Sequence, residues 1–128
     1  MPKGIEIRQA HFPGRAPIDA YGNGGFRFAD MSHRGSILCL PSGIHGWDKA
    51  EGVALTVEDL ARVLAEADAI EVLLVGTGTD IRPIPPEVKA ALRAQGIMSD
   101  PMSTGAAVRT FNVMLAESRA VAAALIAV

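Results

Sequence analysis

The chain reads as an α/β domain in which parallel crossovers follow a set of antiparallel pieces. Three observations predict that class. From Thr56 onward, stretches with helical period alternate with short apolar runs. Before Thr56, short apolar runs are broken by glycine and proline, the mark of strands and turns. The chain closes on residues 121–128, an unbroken apolar run of the kind found in a sheet covered on both faces.

Composition agrees and narrows the classes of function. The 128 residues are 49% hydrophobic and 20% charged, which excludes a disordered chain, a collagen-like repeat and a charged coiled coil. The length suits one domain, residues 1–128, with residues 1–17 as an N-terminal arm rich in glycine and proline. Twelve basic against fourteen acidic residues leave a net charge of -2, so no nucleic-acid surface is expected. A single cysteine, Cys39, excludes an intramolecular disulfide and a zinc cluster. Lys3, Glu6 and Arg8 deny the N-terminus the apolar core of a signal peptide. The longest apolar run, residues 120–128, would span only ~14 Å as a helix, too short for a bilayer. No membrane insertion is expected, no cofactor is implied, and the cytoplasm is the expected compartment.

The elements follow in order. Residues 5–7 form at most a short strand of the arm. Residues 18–21 and 26–28 flank Gly22, Asn23, Gly24 and Gly25, which predicts two extended pieces joined as a hairpin or a bulge. Residues 36–40 are a short apolar strand, and Pro41, Ser42 and Gly43 behind them are turn chemistry. Residues 44–47 give one more strand. Val57, Leu60, Ala61 and Leu64 then mark an amphipathic helix, capped by Thr56 and Asp59. Residues 70–75 form a strand that runs into Gly76, Thr77, Gly78 and Thr79. Pro85 and Pro86 start a helix that Gly96 ends, followed by a short strand at 97–98. Ser103 or Thr104 caps a last helix over 105–119, and 121–128 is the closing strand.

Charge is uneven. Residues 48–71 hold seven acids and two bases, and read as a solvated surface segment. Residues 97–128 carry only Asp100, Arg109, Glu117 and Arg119, so the last helix is expected in the interior. Arg109 in such a helix needs a reason. Ligands of open parallel sheets bind beyond the carboxyl ends of strands, and two loops hold that position here. One is Gly76, Thr77, Gly78 and Thr79; the other is Ser103, Thr104 and Gly105. Arg109 lies four residues past Gly105 and can lean back toward the helix opening, with Asn112 extending the polar stripe. The pattern suits a pocket for a small anion. Structural roles are the plainer reading, with the glycines turning the chain, Thr104 capping and Arg109 pairing with Asp80 or Asp100.

Other candidates carry less. Ser42, His45 and Asp48 are triad residue types, but they crowd into one turn and lack a nucleophile elbow, so chance composition is the simpler reading. His11, His33 and His45 have no metal-ligand spacing. Cys39 sits in an apolar strand and reads as a buried, inert thiol. Phe12 beside Pro13, and Trp47, are the aromatic candidates for anchoring a partner, core packing being the plainer role for Trp47.

The segments GSILCLPSGIHGW, LTVEDL, EVLLVGTG and STGAAVRTFNVMLAESRAVAAALIAV together resemble the Mth938-domain family. The likeness runs from about Tyr21 to Val128 and is most specific from Met102 onward. That family is of unknown function and includes a mitochondrial complex I assembly factor and bacterial relatives. The resemblance implies a three-layer α/β domain, with a mixed central sheet and a small antiparallel sheet beside it. It brings no catalytic mechanism. Two functions therefore compete: a non-enzymatic binding or assembly module with a protein partner or a second copy, and a small-anion site at the two loops.

Overall fold

A computed structural model of the chain describes residues 11–128; the strand expected at 5–7 lies outside them. Six short strands come first: β1 (His11–Phe12), β2 (Ala20–Gly22), β3 (Gly25–Phe28), β4 (Met31–Arg34), β5 (Ser36–Leu40) and β6 (Gly43–Trp47). A 3-10 turn at Glu58–Leu60 runs into α1 (Ala61–Ala65), and a second follows at Ala67–Ala69. Then come β7 (Val72–Gly76), α2 (Pro86–Ala94), β8 (Met98–Met102), α3 (Thr104–Ala116) and β9 (Val121–Leu125).

The central sheet has the order β1-β6-β5-β9-β7-β8, and β2-β3-β4 form a separate antiparallel sheet. The closing apolar strand lies inside the central sheet, antiparallel to β5 and parallel to β7. All five of its residues are buried, as an apolar strand without alternation requires. Side chains of the inner strands alternate between two cores. Phe26 and Phe28 of the small sheet and Ala107, Val108 and Phe111 of α3 cover one face, against Ile37, Cys39, Leu74 and Leu125. Leu60, Val63, Val88 and Leu92 cover the other, against Leu38, Leu40, Leu73 and Val75. This is the three-layer arrangement expected.

Several turns follow directly from residue chemistry. Gly22 pairs with Gly25 across Asn23 and Gly24, both at positive φ, so the glycine-rich stretch is a two-residue hairpin. Pro86 opens α2, and Gly96 just past its end has φ of 82°, where a Cβ would be strained. Thr56 and Asp59 form a reciprocal cap: each backbone N–H donates to the other's side chain, at 2.8 and 3.2 Å.

Other elements depart from expectation. β4 was not expected; it pairs with β3 through a loop at Ala29 and Asp30, both at positive φ without glycine to announce it. The capped helix is only a 3-10 turn and five α residues. β8 extends through Pro101, which an edge strand tolerates because one side of its backbone needs no partner. α3 ends at Ala116 and is not wholly interior, since Arg109, Val113 and Ala116 are exposed. Scarcity of charge reflects apolar residues left at the surface there, not burial of the whole helix.

Two contacts set the position of α3. Asn112 accepts a hydrogen bond from Ile18 N–H at 2.8 Å and donates to Ile18 C=O at 2.9 Å, stapling the chain before β2 to the helix. At the other end a Cβ on Gly76 would lie 3.0 Å from Thr104 Cα and 3.1 Å from Leu125 Cδ2. Gly76→Ala is therefore expected to push α3 from the sheet and cost about 1–3 kcal/mol, read as a lower denaturant midpoint.

Candidate functional site

β7 hands the chain to α2 on one face of the sheet, and β8 hands it to α3 on the other. Their adjacent carboxyl ends thus form the crevice where open α/β sheets bind ligands. The two loops singled out from the sequence do meet in this crevice. They meet as a closed junction. Thr77 N–H donates to Met102 C=O at 2.9 Å, and Thr104 N–H donates to Gly78 C=O at 2.9 Å. Thr104, fully buried, donates its hydroxyl to Ile126 C=O at 2.7 Å and accepts from Gly78 N–H at 3.1 Å. Ile126 N–H returns to Gly76 C=O at 3.0 Å.

Several of the remaining loop groups also bond within the chain. Thr77 Oγ1 donates toward Asp80 C=O and Met102 C=O, at 2.9 and 3.2 Å, and accepts from Arg82 N–H at 2.9 Å. Ser103 is the N-cap of α3 and accepts from Ala106 N–H at 3.4 Å. Thr79 N–H donates to Glu51 Oε2 at 2.6 Å, and the Glu51 carboxyl packs over Gly78. A carboxylate of the chain itself thus occupies the place where an external anion would sit. Composition marks the acid-rich segment as solvated surface and gives no sign of Glu51, whose bond spans 28 residues and leaves no local signal.

Arg109 and Asn112 do not complete a pocket. Arg109 is exposed on α3, and Tyr21 reaches across Gly105, its neighbour one turn back. The i, i+4 spacing placed Arg109 on the face of Gly105 as expected, but that face is the surface side of the helix. Asn112 is committed to Ile18.

Ser42 and His45 come together, with Ser42 Oγ 2.9 Å from His45 Nε2, and the third member is Glu66 rather than Asp48. Ser42 donates its hydroxyl to Glu66 Oε2 at 2.6 Å, and its N–H donates to Glu66 Oε1 at 2.9 Å. A serine nucleophile must pass its proton to histidine; this one gives it to the carboxylate. The trio fastens the β5–β6 turn to the residue that ends α1. His33 is partly buried on β4, and burial lowers its pKa against a hydrogen bond with the Ser36 backbone. His11 pairs with His45 in strand register, and no group of metal-binding side chains occurs among the described residues. Cys39 is buried, and burial pushes its thiol far up, which keeps it protonated.

Neither Phe12 nor Trp47 is an exposed anchor. Both are half-buried and pack against the cores, and Trp47 Nε1 donates to Asp59 C=O at 2.9 Å. Among the described residues the exposed large apolar ones are Tyr21, Val53, Ile81, Met98 and Val113. Beside Trp47, Lys49 Nζ bonds Asp59 Oδ2 at 2.7 Å with its side chain only 5% exposed, and also donates to Ala54 C=O. Partial burial pushes the Asp59 carboxyl up, but bonds from Lys49 and Thr56 outweigh it and hold the carboxyl below its ordinary value.

Comparison with known proteins places this fold. Residues 18–126 match the family described as "Protein of unknown function (DUF498/DUF598)". The chain is 31% identical over 122 residues to the Mus musculus NADH dehydrogenase [ubiquinone] 1 alpha subcomplex assembly factor 3, covering 95% of this chain and 66% of that protein. A crystal structure described as an outer membrane protein from Bartonella henselae is 67% identical, with a TM-score of 0.88, covering 91% of this chain and 98% of that one. A Mth938-like domain from Bordetella pertussis is 28% identical with a TM-score of 0.77, covering 95% and 92%. No helix among the described residues is long and apolar enough to cross a membrane.

Two predictions separate structure from binding at this site. Thr104→Val keeps the shape but leaves Gly78 N–H and Ile126 C=O without their partner, and is expected to cost about 2–4 kcal/mol in urea unfolding. Arg109→Ala, on the exposed face, is expected to change stability by less than about 0.5 kcal/mol. A third prediction concerns pH and the Lys49–Asp59 pair. With its folded pKa depressed, Asp59 contributes stability that is full above the ordinary value of 3.8 and is lost as pH falls through the folded value. Thermal melts below that pH are expected to show a shallower acid loss in Asp59→Asn than in the parent.

Proposed function

The chain belongs to the DUF498/DUF598 family of proteins of unknown function, and we propose that it is a non-enzymatic binding or assembly module. One observation carries this reading. Nearly the whole chain, 95% of it, aligns with a protein named as an assembly factor for NADH dehydrogenase. The geometry is consistent with that role. Polar groups at the strand-end crevice bond to one another, and the serine beside His45 gives its proton to a carboxylate. The amides of Thr77, Gly78, Thr79 and Thr104, bonded within the chain, weigh against the small-anion alternative. In this reading the module works in the cytoplasm, through a protein partner or a second copy, on respiratory-enzyme subunits before they are complete.

The reading is tested in the source cell. A tagged copy at native level is expected to co-migrate on native gels with NADH dehydrogenase subassemblies, and its deletion to lower the assembled enzyme several-fold. Free monomer on the gel together with unchanged assembled enzyme would reject it.

A further inference from the structure

We propose that the carboxyl ends of β7 and β9 carry a second, preformed site, for a small amphipathic monocarboxylate with a medium-length alkyl tail. The observation is a hollow of 310 Å³ beside the closed junction. Its floor is Val75 and Ile126, the ends of the two parallel strands, with Thr77 at the side. One wall is the strap at residues 52–55, and the other is Pro83, Ile84 and Pro85. Arg82 stands at the rim.

Both walls are held before any ligand arrives. The strap is fastened at its start by Ser36 Oγ–H donating to Lys49 C=O at 2.6 Å, and by Lys49 Nζ reaching Asp59 and Ala54 C=O. Glu51 ties its middle to Thr79 N–H. The opposite wall is stiffened by two prolines and by the Arg82 N–H bond to Thr77 Oγ1. Pre-formed apolar hollows with few polar groups are the usual form of small-molecule sites, and 310 Å³ lies at their lower end.

The size and charge choose the ligand. A hollow at the lower end of small-molecule sites takes a small ligand, of roughly ten non-hydrogen atoms. The lining is aliphatic and proline, without an aromatic ring to stack on. The Arg82 guanidinium makes no hydrogen bond or ion pair among the described residues, so the rim offers one unpaired, bidentate cation. Val53, at 58% exposure, leaves apolar surface at the same rim. An alkyl carboxylate of about eight carbons matches an apolar floor with one cation at the mouth. Thr77 is saturated and supplies only shape.

The test uses octanoate and octanol with the full chain, followed by amide chemical shifts and calorimetry. Octanoate is expected to move the amides of Val53, Leu55, Ile84 and Ile126, and to bind about tenfold more tightly than octanol. Arg82→Ala is expected to bring octanoate down to the octanol level with an unchanged melting temperature. Ala54→Phe, which fills the hollow from its exposed wall, is expected to abolish both. Shifts scattered over other exposed apolar residues such as Met98 and Val113, octanoate affinity indifferent to Arg82→Ala, or absence of binding would each overturn the proposal.

Discussion

The hydroxyl of Thr104 is the constraint on which the strand-end geometry depends. It bonds the loop after β7 and the residue after β9 while its own backbone opens α3. Three strand ends and one helix start therefore meet at a single side chain with no exposed surface. In such a place an unpaired polar atom costs more than a hydrogen bond gains, so the junction holds by satisfaction rather than by strength. The close approach it imposes leaves no room for a Cβ on Gly76. What a doubly wound sheet ordinarily leaves open for a ligand is closed here by the chain itself.

Closure at the switch point changes what the acid-rich segment does. Its acids are dispersed along the sequence, and a solvated surface is the simple expectation. Glu51, Asp59 and Glu66 instead serve as fasteners, to Thr79, Lys49 and Ser42 respectively. Lys49 is almost fully covered, which makes its pairing with Asp59 a condition for burying it rather than a decoration. The small α1 region and the strap at 48–55 are thus held to the sheet by polar contacts at their margins, with Leu60 and Val63 supplying the apolar contact.

The parts of the fold legible in the sequence are those whose causes are local. Helical period, the Thr56–Asp59 cap, the Asn23–Gly24 turn, Gly96 and the apolar closing strand are each decided within a few residues. The parts that escaped depend on partners far along the chain. Asn112 looks like a polar stripe until Ile18, 94 residues away, is laid against it. Ser42 looks like a chance serine until Glu66, 24 residues on, arrives. β4 escaped for a different reason: Ala29 adopts a left-handed turn conformation that alanine does not advertise, beside an Asp30 that tolerates it. Arg109 was placed on the correct helical face, but which face is wet depends on the sheet beneath α3, and helical period alone is silent about that.

Where the polar groups at the Thr104 junction are satisfied by one another, recognition is left to the surface around it. On that surface, unpaired charge and exposed apolar area need to coincide for a contact to be both specific and favourable. They coincide at the strap, where Val53 and Arg82 border one hollow. The strap is fastened at Lys49 and Glu51, while residues 52–54 between those ties and Thr56 remain exposed. Change at Val53 or Ala54 therefore leaves the Thr104 junction and both cores untouched, whereas Gly52, at φ of 86°, is fixed by its turn. The residues that hold the domain together and those that line the hollow lie within one loop of each other, yet they answer to separate physical demands.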